Sequence, residues 1–433
     1  MNSLLRSALL PLAAAIPALA QPAGFNYDES KVGAFTLPDP LTLANGTKVT
    51  DAATWKNKRR PEVLKLFESQ MHGRSPARPK DLKFEVTSTD KSALGGKATR
   101  KEITVRFGAE PGAALMRLLV YLPNDARKPV PAFLGVNFEG NHTISTDPGI
   151  TLTGQWTWNS KEKSAEITRP ADTTRGKSIS RWPLEMVLAR GYAVATIPRA
   201  DIEPDFAEGW RNGVRGYFLK KSGKAEFAPD DWGAIAAWAW GLSRALDYFE
   251  TDKDIDARRV IVMGHSRMGK ASLWAGATDD RFAAVISNNS GEGGASLARR
   301  DFGETVQRIN TSFPHWFCAN YKQYNTNVAA LPVDAHLLVA LSAPRPVYIA
   351  SAEEDKWADP KGEFLSGKNA EPVYRLFGKG GLGVDAWPAV NSPVGDVIGY
   401  HVRTGKHDVT DYDWEQYLAF ADRHLKPARA GKK

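Results

Sequence analysis

Short apolar runs alternate with amphipathic stretches through most of this chain, and the hydrophobic period switches between two and about 3.6 residues as they do. Lys101 to Phe107 alternates apolar and polar side chains. Leu115 to Leu122 is an apolar run stopped by Pro123, and Ala132 to Phe138 is apolar enough to lie inside a sheet. Leu184 to Ala189 reads as a helix closed by Gly191, followed by a strand over Tyr192 to Ile197. Ile235, Trp238, Leu242, Leu246 and Phe249 recur at helical spacing, and Asp230 or Asp231 can cap that helix. The pattern then predicts a strand over Val260 to Met263, a helix over Met268 to Ala277 and a strand over Ala283 to Ser287. Further on it predicts a helix over Ala335 to Leu341, strands over Pro346 to Ser351 and Asp396 to Val402, and a closing helix over Tyr412 to Ala421.

This order predicts an α/β fold, a mostly parallel central sheet flanked by helices on both faces. The stretches 139–180, 200–228, 292–332 and 356–395 are too long for plain connections. They are expected to be long insertions gathered over one end of the sheet, around a substrate cleft. No internal repeat is present. Residues 21–425 are expected to form one catalytic domain, with 21–60 as a Pro- and Gly-punctuated N-terminal arm and 426–433 as a basic tail.

The first twenty residues stand apart. Arg6, the apolar stretch Ala8 to Leu19 and the small-residue string Ala18-Leu19-Ala20 ahead of Gln21 have the layout of a cleavable signal peptide. No later stretch approaches the roughly 18 uninterrupted apolar residues of a membrane span. The expectation is a secreted or periplasmic protein with no membrane partner. Cys318 is the only cysteine, so no intrachain disulfide can form, and its neighbours Trp316 and Phe317 suit a core position. The net charge of +8 owes one unit to Arg6 and several to Lys426, Arg429, Lys432 and Lys433. The small remaining excess, with no helix-turn-helix, zinc-finger or RNA-binding signature, excludes nucleic acid as the expected partner. His72, His142, His315, His336, His401 and His424 show no metal-ligand spacing, so no metal and no cofactor are expected.

The candidate chemistry lies in Val260-Ile-Val-Met-Gly264-His265-Ser266-Arg267-Met268-Gly269-Lys270, where an apolar strand runs into Gly-x-Ser and on into a helix. A nucleophile elbow needs that arrangement, because the sharp turn exposes the Ser hydroxyl and small residues let strand and helix pass closely. The usual Gly-x-Ser-x-Gly has its second Gly where this chain has Met268, with Gly269 one position later. An ordinary helix-capping Ser would present the same letters. In this fold class the acid and then the His follow the Ser, each on a loop after a strand. Asp355 follows the strand ending at Ser351, and His407 follows the strand near Val402 and precedes the closing helix. Both stand where that order requires, which makes the fold an α/β-hydrolase. Glu292, after the earlier strand, is the competing acid.

At these residues the chain resembles the glucuronoyl esterases. The resemblance is carried by Gly264-His-Ser-Arg-Met-Gly-Lys270, by Ser290-Gly-Glu-Gly-Gly-Ala295 and by the Asp355 and His407 loops, and it extends over residues 50–425. That family cleaves the ester between (4-O-methyl-)glucuronic acid on xylan and alcohols of lignin. The resemblance implies that Arg267 stabilises the oxyanion, that Lys270 and Glu304 bind sugar hydroxyls, and that Trp357 walls the uronate site. Fungal members resemble a pattern with Glu directly before the Ser-Gly segment. This chain has Asn289 there, so the acid moves to Asp355, and the missing disulfides make the likeness closer to bacterial members. The expected substrate is therefore a glucuronoxylan or lignin–carbohydrate ester, and the expected state is a monomer. An acetyl or feruloyl xylan esterase would share the triad without needing Lys270 and Glu304, and a non-catalytic polysaccharide binder would need no triad.

Overall fold

The computed structural model describes residues 21–425, so the leader and the basic tail lie outside the described residues. Ten strands form one sheet and two form a separate hairpin. In chain order they are β1 (Lys83–Ala93), β2 (Ala98–Arg106), β3 (Leu115–Pro123), β4 (Val130–Asn137), the hairpin β5 (Gln155–Asn159) and β6 (Ser164–Thr168), and β7 (Ala193–Pro198). After them come β8 (Ile255–His265), β9 (Ala284–Asn288), β10 (Val347–Ala352), β11 (Val394–Gly395) and β12 (Ile398–Arg403). The sheet order is β1-β2-β3-β7-β4-β8-β9-β10-β12-β11. Pairing is parallel from β7 through β12 and antiparallel at both margins.

Alternation along the strands divides the interior in two. In β8, Val260 and Val262 join a core with Trp238 and Trp274, whereas Ile261 and Met263 join a second core with Tyr192 and Trp414. The helices Ala234–Phe249, Arg267–Thr278 and Pro360–Leu376 cover the first face. Leu184–Ala189 and Asp411–Leu425 cover the second. This is the α/β-hydrolase architecture expected from the alternation of elements.

Three details differ from the sequence pattern. The helix expected to be capped by Asp230 or Asp231 begins at Ala234 with Gly233 as its N-cap. Asp230 pairs with the distant Arg74, and the Asp231 carboxylate accepts from Ala228 N at 2.7 Å in the preceding turn, so neither acid caps the helix. A side chain at Gly233 would strike the Trp316 carbonyl, its Cβ lying 2.2 Å from that oxygen, and this close pass requires glycine. The stretch 356–395, read as a loop-like insertion, contains the 17-residue helix Pro360–Leu376 with Pro372 inside it. The stretch 139–180 contains the hairpin β5–β6.

The loop after β12 is held from below by one buried carboxylate. Asp413, on the closing helix, accepts from Arg403 Nε at 2.7 Å, from Thr410 N at 2.8 Å and from Thr410 Oγ1 at 2.9 Å, and it pairs with His401 Nε2 at 2.9 Å. Arg403 in turn donates to the carbonyls of Thr404, Lys406 and Asp408, which brackets His407. Burial opposes ionisation of Asp413, but His401 and Arg403 outweigh it and hold the carboxyl below its ordinary value. Removing one partner of such a pair strands the other charge in the interior. Asp413→Ala is therefore expected to destabilise the fold by about 3 to 5 kcal/mol in urea unfolding. A loss below about 1 kcal/mol would show that the network is dispensable.

Candidate active site

The turn between β8 and the following helix sets the geometry. Ser266 has φ 58° and ψ −129°, a left-handed conformation that a non-glycine residue adopts only when its surroundings impose it. Ser266 N donates to Asn288 O at 2.9 Å, which pins the turn to the end of β9. Although Ser266 occupies the N-cap position, its hydroxyl makes no capping hydrogen bond, so the capping reading of this Ser fails. A Cβ on Gly264 would lie 2.1 Å from the Met268 carbonyl oxygen. One on Gly269 would press on the Ser290 side chain at 3.0 Å. The strand and helix thus pass closely through Gly264 and Gly269. Met268 is 1% exposed and fills the first core, which accounts for the displaced second glycine.

Ser266, Asp355 and His407 come together in one cleft of about 820 Å³. His407 Nδ1 lies 2.6 Å from Asp355 Oδ2, and the same oxygen accepts from Asn289 Nδ2 at 2.8 Å. Asp355 is buried at the end of β10, while the His407 side chain is 41% exposed and open to the cleft. The His265 ring packs 4.4 Å from the His407 ring and is itself held by Asn288 Oδ1 at 2.6 Å. Burial, followed by the nearby His407, keeps His265 well below the ordinary histidine value, so this neighbour is neutral.

Glu292 takes a different place. It accepts from Tyr321 Oη at 2.7 Å, and burial pushes its carboxyl up to about 8. It lines a small cavity with Asp334 and Leu338, whereas the partner of the His407 ring is Asp355. Sequence reasoning missed the role of Asn289 as a donor to the acid, and it missed Glu363 beneath it. Glu363 accepts from Ser290 N at 2.7 Å, Gly291 N at 3.0 Å and Ser351 Oγ at 2.6 Å, and burial pushes it up to about 8. The loop that carries Asn289 is thereby tied to β10.

The other expected site residues line the same cleft: Arg267, Lys270, Glu304 and Trp357. Lys270 donates to the Ser290 carbonyl, and burial lowers its ammonium below the ordinary lysine value. Burial raises the Glu304 carboxyl, and Lys270 is the largest opposing influence. Arg299 and Arg300, the obvious sequence neighbours of Glu304, are engaged elsewhere, with Asp334 at 3.0 Å and Asp359 at 2.8 Å. Glu304 is thus left to the cleft. Its backbone N–H donates to Trp357 O at 3.0 Å, which couples the acid to the aromatic wall. Phe25 from the N-terminal arm meets the Trp357 ring edge-on at 5.0 Å, and Gln21 Nε2 donates to Glu354 O at 2.8 Å. The arm is therefore part of the cleft wall, as are Arg181, Phe313 and Trp316. Among the described residues no group of His, Cys, Asp and Glu could hold a metal ion.

A family model described as "Glucuronyl esterase, fungi" matches residues 164–378. A carbohydrate esterase named MZ0003, from an unknown prokaryotic organism, is 54% identical over 408 residues, covering 94% of this chain and 93% of that relative. The solved structure of a glucuronoyl esterase from Solibacter usitatus superposes with a TM-score of 0.88 at 54% identity, covering 92% of this chain and 100% of that one. The chain belongs to the glucuronoyl esterase family. A 4-O-methyl-glucuronoyl methylesterase from Wolfiporia cocos is 28% identical, with 82% of this chain and 74% of that relative covered.

For a glucuronoyl esterase, a buried carboxylate on an imidazole that shares a cleft with a half-buried Ser is an arrangement suited to acyl transfer. It predicts that Ser266→Ala or His407→Ala lowers kcat by roughly four to six orders of magnitude, because such groups act as a unit, while the thermal unfolding transition stays in place. Asp355→Asn should lose most of the same activity and Glu292→Gln little of it. Near-normal turnover by the Ser266 or His407 variant would remove the arrangement from the reaction, and the reverse ranking of the two acids would move the orienting role to Glu292.

Proposed function

We propose that this protein is a serine esterase that hydrolyses esters of (4-O-methyl-)glucuronic acid, such as those joining xylan to alcohols of lignin, by two-step acyl transfer. His407 Nε2 takes the Ser266 proton as Oγ attacks the ester carbonyl carbon, while Asp355 holds the other ring nitrogen and balances the imidazolium. Negative charge gathers on the former carbonyl oxygen, where Arg267 and the N–H groups at the start of its helix can receive it. The tetrahedral centre collapses, the alcohol leaves with the proton from His407, and the uronate remains esterified to Ser266. Water then attacks the acyl-enzyme with His407 again as base, which frees the uronic acid and restores the Ser hydroxyl.

The observation that carries this reading is that Lys270 and Glu304, both buried and each influenced by the other's charge, line one cleft with a strained Ser. Burying opposed charges beside the reacting centre is costly unless a ligand uses them. Sugar hydroxyls can both donate to a carboxylate and accept from an ammonium, and Trp357 offers an apolar face to the ring. The acyl half is then the sugar, held while its own carboxyl carbon is attacked. The solved relative from Solibacter usitatus and the Wolfiporia cocos relative carry names of this activity, which supports the assignment.

We read the working unit as one exported, monomeric catalytic domain over residues 21–425. Among the described residues no helix is long and apolar enough to cross a membrane.

Hydrolysis of a benzyl glucuronate ester, an acetylated xylan and a feruloyl ester by the same preparation tests the substrate class. The glucuronate ester is expected to show the largest kcat/KM. Lys270→Ala and Glu304→Ala should each lower that value by roughly 10- to 1000-fold, because a site built for hydroxyls loses discrimination with its polar partners. A small aryl acetate should be hydrolysed about equally by parent and variants. Preference for the acetylated or feruloylated substrate would replace the uronate assignment with a general carbohydrate esterase. Equal losses on both ester types would mean that the two residues support the fold.

A further inference from the structure

Arg267 owes its place in the cleft to a carboxylate 62 positions earlier in the chain. Asp205 lies in the stretch 200–228, after the short helix Arg199–Ile202 that follows β7, and its side chain is 2% exposed. Both of its oxygens are occupied. Oδ2 accepts from Arg267 Nη1 and from Arg199 Nη1, each at 2.5 Å, and Oδ1 accepts from Trp316 Nε1 at 2.8 Å and meets His315 Nε2 at 2.9 Å. Burial alone would raise this carboxyl, but His315, the two guanidinium groups and Trp316 outweigh it and hold Asp205 well below the usual carboxylate range. The Trp316 ring that Asp205 fixes also carries the Arg267 guanidinium, whose Cζ stands 4.7 Å from the ring centroid. Phe313 stacks on Trp316 with ring centroids 3.8 Å apart and extends the same platform, its own centroid 5.4 Å from Arg267 Cζ.

We infer that Asp205 is a positioning residue for the reaction, one that sets both the place and the free charge of Arg267. This inference rests on the esterase reading and on Arg267 as a donor to the oxyanion.

Three features of the geometry carry it. First, Asp205 holds Arg267 twice, by the charge-assisted hydrogen bond and by fixing the indole beneath it, so a long side chain loses its rotamer freedom before substrate arrives. Second, a single carboxylate is shared by two guanidinium groups. A lone Asp–Arg pair would cancel the charge that an oxyanion needs, whereas here one negative charge is set against two positive ones and a cation remains. Third, Arg267 Nη1 is committed to Asp205 and Nε is sealed in the interior, so Nη2, which makes no hydrogen bond among the described residues, is the donor left over for an incoming oxygen. Without Asp205, Glu304 is a carboxylate in the same cleft that still attracts Arg267, since Arg267 already influences its ionisation. The cation would then be drawn from the reacting centre to the sugar-binding acid.

A double-mutant cycle on the full enzyme tests this, with kcat and KM measured on both a small aryl acetate and a benzyl glucuronate ester. An oxyanion forms on both substrates, so the acetate arm reads Asp205 even if the uronate assignment is wrong. Arg267→Ala is expected to lower kcat on both by roughly 100-fold, in the range of a lost oxyanion donor. Asp205→Asn should lower kcat on both by roughly 10- to 100-fold, with the acetate KM within about threefold of the parent. In the Arg267→Ala background the same Asp205→Asn change should cost less than about threefold, because the residue through which it acts is already gone. Multiplicative losses, or a change confined to KM, would make Asp205 an ordinary structural acid and overturn the inference. So would an Arg267→Ala variant with unchanged kcat. Should Asp205→Asn lose its thermal unfolding transition, Asp205→Glu, which keeps the charge and shifts it by one methylene, enters the same cycle with the same expected coupling.

Discussion

The site depends on a chain reversal that only a few residues can make. Between β8 and the helix Arg267–Thr278 the backbone turns through a left-handed residue, and that residue carries the hydroxyl. The strain at Ser266 is tolerable because both sides of the turn are over-determined. β8 lies between β4 and β9 in the parallel part of the sheet, and the helix packs its Met268 and Trp274 into the first core. Gly264 and Gly269 supply the missing volume where the two segments cross. A parallel strand that is buried on both faces cannot shift to relieve the turn, so the hydroxyl is presented at a fixed point beyond the strand ends.

The other groups are brought to that point by the same logic. β9, β10 and β12 run parallel beside β8, and the loops leaving their ends carry Asn289, Asp355 and His407. Each loop is tied down by a buried carboxylate other than the one that bonds the His407 ring: Glu363 under the Asn289 loop and Asp413 under the His407 loop. Rigid strands fix where the loops begin, and buried hydrogen bonds fix where they end. The cleft's polar floor is less uniform, with Lys270 and Glu304 at shifted ionisation values and a cation over an aromatic platform.

Legibility in the sequence followed the range of the interaction. Ser266 was readable because an elbow is local: an apolar strand, a turn and a helix within about a dozen residues. Asp355 and His407 were readable because chain order and strand-to-loop position survive in a linear string. The helix Pro360–Leu376 was hidden by Gly362, Gly367 and Pro372, which lower local helix propensity although packing of Phe364 and Tyr374 secures it. β1 was missed because only Ala93 in it is buried, so little hydrophobic alternation marks it. Asp205, Asn289 and Phe25 could not be read as site residues at all. Their meaning lies in partners at Arg267, Asp355 and Trp357, and spacing along the chain does not encode contacts that distant.

The arm has a practical consequence for anyone handling this enzyme. Gln21 and Pro22 line the cleft, Phe25 braces Trp357, and Glu29 bonds both Arg300 and Lys361, so the segment is fastened down on both sides of the aromatic wall. Whatever is joined ahead of Gln21, such as an affinity tag or a fusion partner, is tethered at the cleft that holds Ser266 and His407. A flexible tether of even a few residues stays at high local concentration there and competes with substrate as an intramolecular ligand would. Purification handles belong at the opposite terminus, because the closing helix ends at Leu425, which packs on the second core and is not among the residues lining the cleft.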